Sequence, residues 1–250
     1  MATLLATQPA FLALDKALET QSFERSRELY NTLRDDADQP PVADEHIRNL
    51  ASLFVRHNAH KLLGIHLIHG HFMIPEGTVL LGKNFEGPKG RWAKVTQIEA
   101  INPTTVHGHI FVLEKDGLCA YEYQDGALPD LSGVGKGFLQ EFVNYLVANK
   151  LTDLLGLQVL GQCDDQPMSE LILDEGTVML DSSVIKGCSP SRVTGWKFEA
   201  EHGNARVRQA NETHATMTSG NHKVFNAGKP HPKLDSVEDL KLALSGAGVI

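Results

Sequence analysis

Three cysteines in 250 residues, none in a CxxC pair, are too few and too scattered for a disulfide scaffold. Cys119, Cys163 and Cys188 fit a reducing compartment, and the expected location is cytoplasmic. Basic charge is also short: 23 Lys and Arg stand against 31 Asp and Glu, a formal −8. With no basic stripe interleaved with aromatics, this argues against a nucleic-acid partner. No apolar run approaches the roughly 20 residues of a membrane-spanning helix, and the opening segment lacks a signal peptide's basic residues. No membrane partner is expected. Glycine loops of the P-loop or dinucleotide type are missing, and strands follow one another without intervening helices, which excludes a Rossmann-type parallel sheet. Nothing in the residues sets the oligomeric state.

What the chain does contain is a repeated order of motifs. Leu62-Leu63-Gly64-Ile65 recurs as Leu154-Leu155-Gly156-Leu157, and Glu76-Gly77-Thr78-Val79 as Glu175-Gly176-Thr177-Val178. Val106-x-Gly108-x-x-Phe111 recurs as Val193-x-Gly195-x-x-Phe198. The helical stripe Ile47, Leu50, Ala51, Phe54 and Val55 has a partner in Leu139, Phe142, Val143, Leu146 and Val147. The expected fold is therefore α+β: an internally duplicated helix-plus-antiparallel-sheet repeat, able to curl into a barrel, with N-terminal helices and a C-terminal helix.

Four segments follow from this reading. Residues 1–41 form a helical extension ending in an acidic, proline-bearing linker from Asp35 to Pro41. Residues 42–134 are a first repeat and 135–213 a second. Residues 214–250 are a polar loop and a helix near 236–246, capped by Ser236 with Asp239 three residues on. Strands are expected near 64–73, 77–82, 106–114 and 118–124, then near 156–163, 170–181, 192–201 and 204–211. Lys115-Asp116-Gly117 and Glu201-His202-Gly203-Asn204 have the composition of hairpin turns.

The repeats differ in their histidines. His66, His69, His71, His107 and His109 of the first are matched by Gln158, Gly161, Cys163, Thr194 and Trp196 in the second. Alternate residues of a strand share a face, so His69 and His71 project with Ile65 and Leu67, and His107 and His109 with Phe111 and Leu113. If those strands neighbour one another, four imidazoles converge, while His66 faces the other way. Each buried polar group left unpartnered costs about 1–3 kcal/mol, so the cluster requires partners. A divalent transition metal (Fe, Zn or Mn) on His69, His71, His107 and His109 is one solution. Mutual hydrogen bonds, a buried acid or water are others.

Gly64-x4-His69-x-His71-x4-Glu76-x5-Gly82 resembles the first metal motif of the cupins. That resemblance implies a double-stranded β-helix barrel holding a divalent metal, with His69, His71 and Glu76 as ligands and His107 or His109 supplying a later histidine.

Candidate catalytic groups around this centre are His66, Glu122, Tyr123 and His214. Glu122 and the tyrosines Tyr121 and Tyr123 follow the His107 hairpin, and His214 opens a polar segment, 211–233, of lid-like composition. The leading expectation is a metal-dependent enzyme, of oxygenase, lyase or isomerase type, acting on a small organic molecule. A metal-free lyase, cyclase or isomerase using histidine acid–base chemistry, and a non-catalytic binding or structural protein, are the alternatives.

Overall fold

The structure is a computed structural model that describes residues 10–11, 18–127, 129–161, 167–213, 216–217, 223–225 and 232–250. Among the described residues it is a mixed α/β fold of four α-helices and one large sheet, made of ten main strands and the two-residue strand Ala10–Phe11. The helices are α1 (Thr20–Tyr30), α2 (Asp44–Arg56), α3 (Phe138–Ala148) and α4 (Val237–Gly246). The first five strands are β1 (Leu63–Leu67), β2 (Thr78–Phe85), β3 (Gly90–Gln97), β4 (Val106–Glu114) and β5 (Gly117–Asp125). The second five are β6 (Leu155–Val159), β7 (Met168–Ile172), β8 (Gly176–Asp181), β9 (Arg192–Glu201) and β10 (Asn204–Thr213). Short pieces add to these: Ala10–Phe11 lies parallel to β5, and Cys188–Ser189 pairs with Thr216–Met217.

Hydrogen bonding orders the strands β5–β2–β3–β8–β7–β10–β9–β1–β6–β4, and β4 pairs in turn with β5. The pattern reads alike from either half. The parallel pair β2–β5 has its counterpart in β7–β10, and hairpin β4–β5 in β9–β10. β1–β6 and β3–β8 join the halves through Ile65↔Leu157 and Trp92↔Val178. Even the ladder irregularities agree, falling at Gly108/Ile110 and Ile110/Phe111 in β4 and at Val193/Gly195 and Gly195/Trp196 in β9.

Helices cover one face of this sheet. α2 buries Ile47, Leu50, Ala51 and Phe54, as its apolar spacing requires, with Asp44 and Glu45 in its first turn and Arg56 in its last, each favourable to the helix dipole. Phe54 meets Phe138, Phe142 and Phe198 at centroid distances of 4.9, 5.7 and 5.0 Å, which seats α2 and α3 together on the sheet. α4, closed by the Ser236–Asp239 capping box, packs Leu240 and Leu244 against Trp92, Leu171, Val178 and Leu180.

Several sequence expectations are corrected. The strand expected at 64–73 ends at Leu67, because the segment beyond it is held by residues of the 30–39 stretch instead of by a sheet neighbour. β3 was not foreseen: the charges of Arg91 and Lys94 obscure its alternation. The strand expected at 170–181 is a hairpin, β7–β8, turning at residues 173–175. The sheet is not wholly antiparallel, since β2–β5 and β7–β10 are parallel. The Glu-Gly-Thr-Val match sets the start of β2 against the start of β8, whereas β8 occupies the place of β3. Likewise the ladder aligns Gly108 with Val193, not with Gly195. On α3 the buried face is Phe138, Phe142 and Leu146, and Val147 is exposed. Within the N-terminal helical extension expected over residues 1–41, the described helix is α1, Thr20–Tyr30, residues 1–9 and 12–17 lying outside the described residues.

The Asp35–Pro41 segment is not a free linker. Arg192 Nη1 donates to the carbonyls of Asp36 (2.6 Å) and Gln39 (2.8 Å), and Nη2 to that of Pro40 (2.5 Å). Asp36 is buried.

Candidate functional site

Residues 68–74 leave β1 and are fixed from the N-terminal part of the chain. Gln39 Nε2 donates to Ile68 O (2.6 Å), Gly70 N–H to Arg34 O (2.9 Å) and His71 N–H to Tyr30 Oη (3.2 Å). Asn31 closes the set by donating to Ile74 O (2.9 Å) and accepting from Ile74 N–H (2.8 Å). Gly70 has no side chain because a Cβ there meets Leu33 Cβ at 3.3 Å. Every one of these contacts falls around two histidines, His69 and His71.

Their imidazoles converge on a carboxylate from the other half of the chain. Glu170 Oε2 lies 3.6 Å from His69 Nε2 and 3.3 Å from His71 Nε2, and all three side chains are buried. The three donor atoms lie within 4.8 Å of one another. His69 Nδ1 is 2.7 Å from Leu67 O. A carbonyl can only accept, so Nδ1 carries the proton, and a neutral His69 presents an Nε2 lone pair to a carboxylate. Two acceptors face each other, so a proton or a metal cation must lie between them. As a protonated pair the arrangement is self-consistent. Burial pushes His69 down, but hydrogen bonding to Glu170 and its charge outweigh this and raise its pKa. Burial likewise pushes Glu170 up, and His71 and His69 reverse it, holding the carboxyl well below the usual range.

His66 belongs to the same group. Its ring stacks on His69 at 5.1 Å and 15°, and its Nδ1 lies 2.8 Å from the same Leu67 carbonyl. Burial and the neighbouring His69 push it down to about 3, so it is neutral.

Beyond His66 and Glu170 lies a cavity of about 710 Å³. Arg91, His107, His109, Glu122, Gln124 and Gln158 give it a polar wall, and Ile110, Leu160, Met168 and Met179 an apolar one. Arg91 Nη1 reaches Glu122 Oε2 at 3.1 Å, Nε reaches Gln124 Oε1 at 2.7 Å, and Nη2 reaches Tyr123 O at 3.1 Å. Gly82 makes the room: a Cβ there would stand 2.3 Å from Arg91 Nε. His109 is aimed by a bulge. The ladder runs Gly108↔Tyr123, Ile110↔Glu122, Phe111↔Ala120, passing over His109 and Tyr121, so Phe111 joins the helix-side core while His109 meets the cavity. Burial, then the Arg91 charge, hold His109 well below the ordinary imidazole value. Burial also lowers His107, whose Nδ1 is 3.2 Å from Gly126 O.

The four proposed metal ligands thus do not share one spot. His69 and His71 meet Glu170, while His107 and His109 line the cavity with His66, whose "other" face is the cavity face. His109 does not share a face with Phe111, for the reason just given. Glu122 lines the cavity as Arg91's partner. Tyr123 does not; its ring packs on Phe23 and its hydroxyl lies 2.6 Å from Ser26 Oγ, beneath α1. His214 lies outside the described residues, as do Cys163 and most of 211–233. Glu76 is exposed at the turn before β2, so the cupin ligand set is not assembled. Nor is the site confined to the first half, because Glu170 and Gln158 come from the second. Glu170, Arg91, Gln124 and Gln158 were missed. The available signal was a lone charge within a buried strand: Glu170 in Met168–Ile172, all five residues of which are buried.

Comparison with known proteins returns no match, whether to family descriptions, to curated sequences or to solved structures. Among the described residues, no helix is long and apolar enough to cross a membrane.

Proposed function

We propose that this protein is a metal-dependent enzyme acting on a small organic molecule held in the 710 Å³ cavity, with His69, His71 and Glu170 as the metal ligands. The observation that carries the reading is the facing pair of acceptors, His69 Nε2 and Glu170 Oε2, 3.6 Å apart with the outer nitrogen already donating to Leu67 O. Two imidazoles and one carboxylate are the ligand set of mononuclear zinc hydrolytic sites and of non-haem iron sites. A bound cation there supplies Lewis acidity beside the cavity. Glu170 reaches the cavity itself, His66 offers an acceptor nitrogen to a substrate proton, and Arg91 holds Glu122 and Gln124 in fixed positions on the wall. The matching ladders support a second element of the reading, that the halves descend from one duplicated unit whose copies diverged at the cavity. A cobalt titration followed through the visible bands of bound Co²⁺ tests the ligand assignment. Wild type is expected to bind one equivalent and Glu170→Gln and His71→Ala to bind at least tenfold more weakly; equal binding by all three defeats it.

A second reading is favoured by the fixed tautomer of His66. With Nδ1–H committed to Leu67 O, its Nε2 acts as a proton acceptor without any metal, and His69–Glu170 then serves as a buried ion pair.

A further inference from the structure

The chemistry of the cavity wall selects its ligand by charge. Each ionic side chain buried in the wall is already matched. Arg91 is compensated by Glu122 at 3.1 Å and further held by Gln124 and the Tyr123 carbonyl. Glu170 is compensated by His69 and His71. Lys61, Asp125 and Asp130 lie exposed at the rim, so among the buried groups an anionic ligand meets two carboxylates and one spoken-for guanidinium, and a cationic ligand would compete with Arg91 for Glu122. Either leaves a charge with no partner among the buried groups of the wall, which is unfavourable.

What the wall does offer is directional and neutral. His66 lines the cavity with its Nδ1–H tied to Leu67 O, so its remaining nitrogen, Nε2, is a hydrogen-bond acceptor. The opposite requirement is an O–H on the ligand. The apolar part of the wall, Met168, Met179, Ile110 and Leu160, suits a flat hydrocarbon body, thioether sulfurs being favourable neighbours for aromatic rings.

We propose that the cavity takes an uncharged, largely apolar molecule bearing a hydroxyl group, of the phenol or enol class, with the hydroxyl donated to His66 Nε2. This rests on the cavity being the substrate site of the function proposed above, but not on the metal. His66 is then a specificity-determining residue: it distinguishes a hydroxyl from the oxyanion or carboxylate that would replace it.

The test uses 2-naphthol, 2-naphthoate, a naphthyl trimethylammonium salt and naphthalene as probes, with affinities from calorimetry or ligand-observed NMR on the full-length protein at neutral pH. Naphthol is expected to bind at least about tenfold more tightly than either ion and more tightly than naphthalene. His66→Phe should remove the advantage of naphthol over naphthalene while leaving naphthalene binding in place. Met179→Trp, which fills the cavity, should weaken both. Naphthoate or the ammonium salt binding as well as naphthol overturns the proposal, as does failure of naphthol to bind, or a naphthol preference that survives in His66→Phe. Repeating the series after chelation separates the two ideas. Naphthol selectivity in a protein that never holds metal defeats only the metal reading, whereas metal bound by His69, His71 and Glu170 without naphthol selectivity defeats only this one.

Discussion

His66 and His69 lie parallel, 5.1 Å apart, and both point Nδ1 at one acceptor, the carbonyl oxygen of Leu67. That shared carbonyl fixes the tautomer of both rings and gives them opposite duties. His69 turns Nε2 toward a buried carboxylate, and His66 lines the cavity.

Removing the carboxylate charge should be costly even without metal. Glu170→Gln leaves a near-isosteric amide but deprives His69 of the charge that sustains its proton. We expect metal-free protein to lose on the order of 2–4 kcal/mol in urea denaturation. A change below about 0.5 kcal/mol would mean that Glu170 does not carry the charge.

Stability should fall on mild acidification. His66 and His109 are buried with pKa values held below the unfolded value of 6.5, so in this range the unfolded chain binds protons that the folded chain refuses. Their contribution is present above pH 6.5 and is lost as pH falls toward their folded values. His69 has the opposite sign: its contribution is complete below pH 6.5 and is lost as pH rises through its raised value, so it adds no slope in the acid range. Between about pH 5 and 6.5, His109→Asn should flatten the pH dependence, by at most about 1.4 kcal/mol per pH unit, measured by denaturation at several pH values. An unchanged slope would show that His109 protonates freely in the folded state.

Gly82 is kept bare by Arg91. In Gly82→Ala the new methyl would displace a guanidinium that three hydrogen bonds hold, and we expect a loss of about 1–3 kcal/mol. Gly82→Ala combined with Arg91→Ala should be less than additive, since the second change removes the clash. Full additivity would place the guanidinium elsewhere.

Arg192 should stabilise the proposed metal site at a distance. It binds the carbonyls of Asp36, Gln39 and Pro40, and Gln39 in turn holds Ile68 at the root of the histidine loop. Arg192→Ala is expected to raise amide exchange across residues 35–41 and 68–72 and to weaken Co²⁺ binding several-fold. Exchange that rises only in β9 would break this linkage.

The periodic elements were readable from the chain because each depends on local spacing: the stripe of α2, the cap of α4, and the hairpins at Gly117 and at His202-Gly203, where positive φ is required. That His66, His69, His71, His107 and His109 are concentrated in one half was also readable. Their grouping was not. A one-residue bulge at His109 exchanges the two faces of β4, and alternation cannot reveal it. The end of β1 at Leu67 is set by Tyr30, Asn31 and Arg34, far away in sequence. Glu170 looked unremarkable because its counterpart by ladder position is Gly82, so no shared motif marks it. In one half a glycine on β2 makes way for Arg91 on β3; in the other, β7 carries the large charged residue Glu170 and β8 the small Thr177.

Elemental analysis of freshly purified wild-type protein, beside Glu170→Gln prepared identically, tests the proposed metal centre most directly. The account predicts close to one equivalent of a single transition metal in wild type and a small fraction of that in the variant. Less than about one tenth of an equivalent in wild type, with no gain on incubation with Zn²⁺, Fe²⁺ or Mn²⁺, would contradict it and leave His69, His71 and Glu170 as a buried ion pair.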